Sequence, residues 1–291
     1  MYVMSDFDRN LKEIYDSGFD VFGDRTGEGM RVSYGLTTRV DISKHIPIPT
    51  KREVKFKSII KEILWFISGS DNINDLEAVG SKIWTPWKDP KFAELGGFQE
   101  GSIGYGYGPN LIHYGADLRT LDSDPGFNQL DYVLNELRTN PKSRRILFTL
   151  WRPDKLGQYD VKLPPCHHTY QFIPEPDENG NLTKLSCMMF QRSCDYPIGV
   201  MMGNLLGGTI FTYLIAQQVG MTPSKLIHFG GHCHIYHNAM EATKEYLSRE
   251  AEPSSPILKI NNRPSIYDYT IDDFEITDYN PLPAIKFPIA I

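Results

Sequence analysis

Residues 205–220 read LLGGTIFTYLIAQQVG, an almost uninterrupted apolar run at helical length. A helix that is apolar all round has no face to give to water and must be covered on every side. The run falls short of the ~18 residues that a membrane span needs, so the spacing predicts a central, buried helix. The rest of the chain has to wrap it.

Several segments are suited to do so. Phe7, Leu11, Ile14 and Tyr15 make one face of a first helix that stops near Gly18. SIIKEILWFISG (58–69) is a strongly apolar helix ended by Gly69, and FNQLDYVLNELRTNP (127–141) an amphipathic one stopped by Asn140-Pro141. NAMEATKEYLSRE (238–250) reads as a surface helix. RILFTLW (145–151), HHTYQFI (167–173) and KLSCMMFQ (184–191) read as strands, the last two joined through the turn-rich PEPDENGN, and the tail holds short strands. Residues 85–127, rich in Gly, Pro, Asp and Tyr, read as long loops, which in compact domains are often functional. There is no internal repeat, no linker and no regular βαβ alternation. The expectation is one α+β domain over 1–291, with helices packed on a mainly antiparallel or mixed sheet.

The formal net charge of −6 argues against a general nucleic-acid binder but leaves room for a local basic pocket. The start, MYVMSDFDRN, has no basic stretch followed by an apolar one, so no signal peptide is expected. The four cysteines, Cys166, Cys187, Cys194 and Cys233, are expected as free thiols in a reducing, cytoplasmic compartment.

The chemistry concentrates at KLPPCHHTYQF (162–172), where Pro164 and Pro165 fix the approach to Cys166. A buried structural thiol needs no such setting; a nucleophile does. A nucleophilic thiol also needs a nearby cation. Arg192 and the pair Arg144-Arg145 are candidates, and paired arginines clamp phosphate well. Arg25, in the Gly-rich DRTGEG (24–29), is another anion candidate. Each arginine alone reads more simply as a surface ion pair. Glu62 lies among Ile63, Leu64 and Trp65, and a carboxylate on an apolar helix is paired or functional. HFGGHCHIYH (228–237) gathers four histidines and a cysteine, and Cys166, His167 and His168 could add to them. Adjacent His-Cys-His residues on a strand alternate faces, and neither CxxC nor HExxH occurs, so no metal site is expected.

Taken together, DRTGEG, SIIKEILWFISGSDN, KIWTPW, NPKSRR, LPPCH, YQF, LSCMMFQRSCD, AQQ, HIYHN, SRE and DFEITDYNPLPAIKFPIAI follow the order and spacing of the folate-dependent thymidylate synthases. The chain resembles that family over nearly its whole length. The resemblance implies that Cys166 adds to C6 of a pyrimidine nucleotide and that C5 then takes one carbon from methylene-tetrahydrofolate. It implies that Arg25, Arg192 and Ser193 hold the 5′-phosphate. Arg144 and Arg145 would reach into the partner's site of a homodimer. Glu62 would work through water, Tyr107 would stand near C5, and His167 would follow the nucleophile. Asp195 would lie beside the pterin, His234 and Tyr236 on the ribose 3′-hydroxyl, Trp84 and Trp87 against the folate, and Ile291 would close the site.

Three departures stand out. YPIGVMMGNLLGG follows QRSCD with one residue more than the family pattern before Asn204, the candidate base reader, and Gly207-Gly208 replace a Ser-Tyr pair. His232 stands where the family commonly has aspartate. YGYGPNLIHYG (105–115) changes Pro109, Asn110, Leu111 and Ile112. Room left by the glycines and a new histidine would admit water to the one-carbon unit. The expectation is therefore 5-hydroxymethylation of dUMP, as in the family's hydroxymethylase branch, which includes bacteriophage enzymes. Thymidylate synthesis proper is the alternative, favoured by the closing PIAI end. An asparagine pairs with uracil's O4 and N3–H, so dUMP is preferred over dCMP as substrate. A dCMP hydroxymethylase, a non-catalytic nucleotide- or RNA-binding relative and a zinc hydrolase are the remaining readings.

Overall fold

The computed structural model describes residues 4–23, 26–252 and 254–290. Helix α1 (Ser5–Ser17) buries Phe7, Leu11 and Ile14, and Gly18 follows it as the cap. Strands β1 (Phe19–Val21) and β2 (Met30–Asp41) come next, then α2 (Phe56–Ile67) and α3 (Ile73–Ala78). The segment expected as continuous loop instead holds two short helices, α4 (Pro90–Gly96) and α5 (Tyr107–Ile112), and a 3-10 turn at Thr85–Trp87. The signal for α4 is plain in hindsight. Asp89 accepts from the backbone N–H groups of Lys91 and Phe92, Pro90 takes the first turn, and Gly97 closes the end at φ 69°.

Helix α6 (Gln129–Thr139), β3 (Leu147–Thr149), β4 (His167–Pro176) and β5 (Leu182–Asp195) fall where the sequence placed them. A π-helical segment, Tyr196–Asn204, then runs into α7 (Leu205–Gln218). Strand β6 (Thr222–Tyr236), α8 (Met240–Ser248) and the pair β7 (Ile257–Ile260) and β8 (Phe274–Thr277) complete the fold.

Six strands form one mixed sheet in the order β1-β2-β6-β5-β4-β3. All neighbours are antiparallel except β5 and β6. A parallel pair needs a crossover, and α7 supplies it. Helix α7 lies against the sheet at Met189 of β5 and Leu226 of β6, and against Ile63 of α2. The helix Tyr196–Gln218 is long and apolar enough to cross a membrane, but 72% of its most apolar window is buried inside the protein. It is a core helix, as its composition requires.

Strand β6 changes phase at Gly230-Gly231. A Cβ on Gly230 would sit 2.5 Å from Cys233 Sγ and 3.1 Å from Cys194 Sγ, so residues three apart share a face. Beyond the shift, Cys233 turns inward beside Cys194, while His232 and His234 lie together on the other face.

Candidate active site

Cys166 stands half-buried immediately before β4. Its backbone N–H donates to the Tyr107 hydroxyl at 2.8 Å, and its carbonyl accepts from the Arg192 N–H at 2.9 Å. The Arg192 guanidinium donates from Nε to the Pro165 carbonyl (3.1 Å) and from Nη2 to the Pro164 carbonyl (2.9 Å). Pro164 and Pro165 have fixed φ and hold two carbonyls still for one planar fork. The guanidinium also lies 5.0 Å from the centre of the Trp151 ring. The prolines thus bring a cation to the cysteine as well as aiming it. Burial pushes the Cys166 thiol up from its ordinary value, and the Arg192 charge and the Tyr107 hydroxyl pull it back.

Tyr107 is fixed by its ring. Phe66 stacks on it at 4.5 Å and 11°, His167 lies at 4.5 Å, and Trp84 meets it edge-on at 5.8 Å. Burial holds its hydroxyl protonated, well above the usual range. His167 is itself buried, with Nδ1 2.7 Å from the Tyr170 hydroxyl, and burial lowers its pKa to about 3. It is therefore neutral at physiological pH, a wall for Tyr107 and no proton carrier.

Two carboxyls are different. Glu62, on α2, accepts from Trp84 Nε1–H at 2.5 Å, and burial pushes its pKa up to about 7. Burial does the same to Asp195, also to about 7, against one backbone N–H from Ile198. Asp195 Oδ1 has no hydrogen-bond partner among the described residues. Both groups exchange protons near neutrality, as acid–base catalysts must. Trp87 continues the aromatic wall 5.6 Å from Trp84.

The elevated values have a stability consequence. A free glutamate titrates near 4.3. Between about pH 4 and 7 the folded protein holds a proton on Glu62 that the unfolded chain has lost, so stability falls as pH rises through this window. Glu62→Gln removes that slope. Its thermal midpoint is expected to exceed that of the native protein at pH 8, by up to about 3 kcal/mol in stability, and to match it at pH 4. Thermal denaturation at the two pH values checks this.

Sequence reasoning missed the network that holds Asn204. Gln191 Nε2 donates to the Ser193 carbonyl and to Asn204 Oδ1, both at 2.9 Å, and Gln191 Oε1 lies 3.0 Å from His228 Nε2. A carbonyl only accepts, so the Gln191 end that faces Ser193 is its NH₂. The facing atom of Asn204 must then be oxygen, and His228 must carry its proton on Nε2. One backbone carbonyl thus orients both amides and one imidazole. Burial keeps His228 neutral, at about 4. A glutamine in an apolar strand, QRS after MMF, was the available signal. The segment that ends at Asn204 is π-helical, with wider turns than the α-helix it runs into.

The reading of Gly207 and Gly208 as open space is corrected. Both are buried in α7. A Cβ on Gly207 would lie 3.1 Å from Ile63 Cδ1, and one on Gly208 3.1 Å from Met189 Sδ and 3.2 Å from Leu226 Cδ1. The space is filled by close packing of α7 on its neighbours. Gly208→Val is accordingly expected to cost about 1–3 kcal/mol by overpacking and to leave the reaction product unchanged, measured by denaturant unfolding and product analysis. The 105–115 segment packs inward. Asn110 Nδ2 donates to the carbonyls of Tyr105 (2.7 Å) and Leu150 (2.9 Å), and Pro109 and Leu111 are buried.

His234 is buried beside Tyr236, ring centres 4.9 Å apart, and pairs across the sheet with Asp195; His232 pairs with Ser193. Arg144 and Arg145 are not brought to Cys166 in their own chain. Both are exposed at the β3 edge, and neither guanidinium has a partner among the described residues. Arg25 and Ile291 lie outside the described residues. Among the described residues no three His, Cys, Asp or Glu side chains converge as a metal site would need.

Comparison with known proteins agrees with this geometry. The thymidylate synthase family model matches residues 5–291. A thymidylate synthase of Homo sapiens is 36% identical over 274 residues, which is 92% of this chain and 85% of that protein. A bifunctional dihydrofolate reductase-thymidylate synthase of Paramecium tetraurelia is also 36% identical over 92% of this chain, which spans 57% of that longer protein. The chain belongs to the thymidylate synthase family, one-carbon transferases that use methylene-tetrahydrofolate as co-substrate.

Proposed function

We propose that this chain, acting as one catalytic domain over 1–291, transfers one carbon to C5 of dUMP and releases dTMP. The observation that carries the chemistry is the half-buried Cys166, held at N–H and C=O by Tyr107 and Arg192, next to two carboxyls that titrate near 7. Cys166 Sγ forms a bond to C6 of the pyrimidine, and the electron pair moves to C5 and O4. Glu62 and Asp195 are the groups able to take and return protons around the ring. Tyr107, neutral and fixed by stacking, donates a hydrogen bond near C5. The co-substrate supplies the methylene carbon and the hydride that reduces it. C5 bonds to the methylene carbon as that carbon's bond to one folate nitrogen breaks; loss of the C5 proton with cleavage of its bond to the other nitrogen leaves a methylene on C5, and hydride addition to it expels Sγ, giving dTMP, dihydrofolate and the free thiol. Trp84 and Trp87 wall the site against water, which favours hydride transfer over attack by water.

The base follows from Asn204. Its oriented amide offers Oδ1 to an N–H and Nδ2 to a carbonyl, which suits N3–H and O4 of uracil and not the reversed order of cytosine. The hydroxymethyl reading loses its main support with the packing of Gly207 and Gly208.

The assembly we propose is a homodimer. Met188, Phe190, Ile227 and Phe229 are half-buried on the sheet face away from α7, and Phe190 stacks on Phe229 at 5.0 Å and 13°. A second copy covering this face would hide the apolar rings. It would also give Arg144 and Arg145 the anion they lack, the nucleotide phosphate beside Arg192 and Ser193. The four free cysteines suit a reducing, cytoplasmic location.

One reaction tests the assignment. The protein, methylene-tetrahydrofolate and either dUMP or dCMP are mixed, the nucleotide is weighed by mass spectrometry, and dihydrofolate is followed by absorbance. The expected result is a methyl product from dUMP with equimolar dihydrofolate and little turnover of dCMP. A hydroxymethyl product without dihydrofolate would overturn the proposed product.

A further inference from the structure

We propose that Cys194 and Cys233 form a thiol switch: a small hydroperoxide closes them into a disulfide across β5 and β6, turnover slows, and a dithiol reopens them. The disulfide chemistry stands apart from the reaction proposed above, and only the turnover readout rests on it.

The sheet builds the pair. Strands β5 and β6 run parallel, and Cys194 stands directly opposite Cys233 in their register. Neighbouring strands lie about 4.8 Å apart, within the span that a disulfide bridges between Cα atoms. Opposite residues can be bridged only if both side chains leave the sheet on one side. The phase shift at Gly230-Gly231 arranges this for Cys233. A Cβ on Gly230 would lie 2.5 Å from Cys233 Sγ and 3.1 Å from Cys194 Sγ, so both sulfurs crowd one bare Cα. The two thiols are also hydrogen-bonded to each other.

The hydrogen bonds give the sulfurs different parts. The Cys194 hydrogen has two acceptors in reach, the Gln191 carbonyl at 3.5 Å and Cys233. Donating to Cys233, together with burial, holds Cys194 as a thiol. Bonds from the Cys194 thiol and the Leu36 backbone hold Cys233 below its ordinary value in spite of burial. Cys187, by contrast, is pushed up to about 12 by burial. The thiolate is the form that oxidises, so Cys233 reacts first. Its sulfur attacks one peroxide oxygen, the O–O bond breaks, and the leaving hydroxide takes the proton that Cys233 gave up. The Cys194 sulfur then attacks the sulfenic sulfur of Cys233. An S–S bond forms, the S–O bond breaks, and the hydroxyl leaves with the Cys194 proton. Two thiols are oxidised, one peroxide is reduced and two waters form.

Both residues are fully buried, so the oxidant must be small. The pair lies one residue from the end of β5 and three from the end of β6, where strands open most cheaply. Closure reaches the site through the chain. Ser193 and Asp195 flank Cys194, and Asp195 leads into the π-helical segment that ends at Asn204. Drawing the sulfurs from hydrogen-bond contact to a bond of about 2.05 Å shifts β5 against β6. A misplacement of about 1 Å costs a site about 100-fold in rate.

The test treats the native protein with hydrogen peroxide, removes the excess with catalase and alkylates the remaining thiols. Trypsin then cuts between the two cysteines at Lys225, and the peptides are mapped without reduction. The expected product is a Cys194 peptide joined to a Cys233 peptide, lighter by two hydrogens and separated by dithiothreitol. No such link at a peroxide dose that oxidises Cys166, or a link from Cys166 in its place, would overturn the inference. Turnover is followed in the native protein, Cys194→Ala and Cys233→Ala, because oxidation of Cys166 sets a background common to all three. The native protein is expected to lose at least ~10-fold more activity than either variant and to regain that difference with dithiothreitol. Equal losses in all three would overturn the switch even with the disulfide found. The peptide map uses no variant, so it decides the chemistry should either variant fail to fold. Absence of turnover before any oxidation would remove the proposed reaction and leave the map to decide the pair.

Discussion

Cys166→Ser is expected to bind dUMP and to turn it over at least about 1,000-fold more slowly than the native protein. The substitution keeps the shape of the site. The backbone bonds from Cys166 to Tyr107 and Arg192 do not involve the side chain, and Arg192 keeps its hold on the Pro164 and Pro165 carbonyls. What changes is the nucleophile. A thiol loses its proton far more readily than an alcohol, and Arg192 offsets part of the burial cost only for a group within reach of ionisation at neutral pH. A serine hydroxyl in the same place stays protonated. Turnover assays with parallel calorimetry separate the two quantities: a large loss of kcat at little changed affinity is the expected pattern. Full activity in Cys166→Ser would rule out covalent addition and reopen a non-covalent or non-catalytic reading of the chain.

Much of this was legible in the sequence because it rests on local signals. The run at 205–220 could only be an interior helix, and α7 is one. The alternation in HHTYQFI and KLSCMMFQ marked β4 and β5, and the absence of βαβ rhythm marked the sheet as mainly antiparallel or mixed. Strand β2 went unread, although MRVSYGLTTRVD alternates, because Gly35 breaks its pattern where the strand takes φ +67°. The site was less legible, for a physical reason. Cys166, Glu62 and Arg192 announce themselves by chemical type. Gln191 and His228 act through other side chains, and their importance appears only when β5 and β6 bring them within 3.0 Å. Gly207 and Gly208 misled because a missing side chain means a void only where no neighbour closes in, and sequence does not show Ile63, Met189 and Leu226 closing in.

The second large effect concerns Arg144 and Arg145. The backbone around them is anchored: Gln171 donates to the Arg144 carbonyl, Tyr132 to the Arg145 carbonyl, and the Arg145 N–H to Ser143 Oγ. Yet both guanidinium groups stay exposed at the β3 edge, without a partner among the described residues, two strands from β5, which carries Arg192 and Ser193. Holding the main chain firmly while leaving two cations without anions makes sense if the anion sits in another subunit. Removing both charges from a phosphate clamp is expected to cost about 100-fold or more in kcat/KM. The double variant Arg144→Ala/Arg145→Ala and the variant Cys166→Ser should each be nearly inactive alone. In a two-fold dimer whose arginines cross over, one mixed dimer combines an intact cysteine with the partner's intact arginines at one of its two sites. Equal amounts refolded together give mixed dimers as half the population, so activity should recover to about a quarter of the native value. Refolding each variant alone should recover none. If the arginines served the Cys166 of their own chain, no mixed dimer could rebuild a complete site, and activity would stay at the level of the separate variants. The Phe190 and Phe229 face supplies the independent check, since Phe229→Asp places a charge where the second copy would sit and should abolish both the dimer, read by sedimentation, and the recovery.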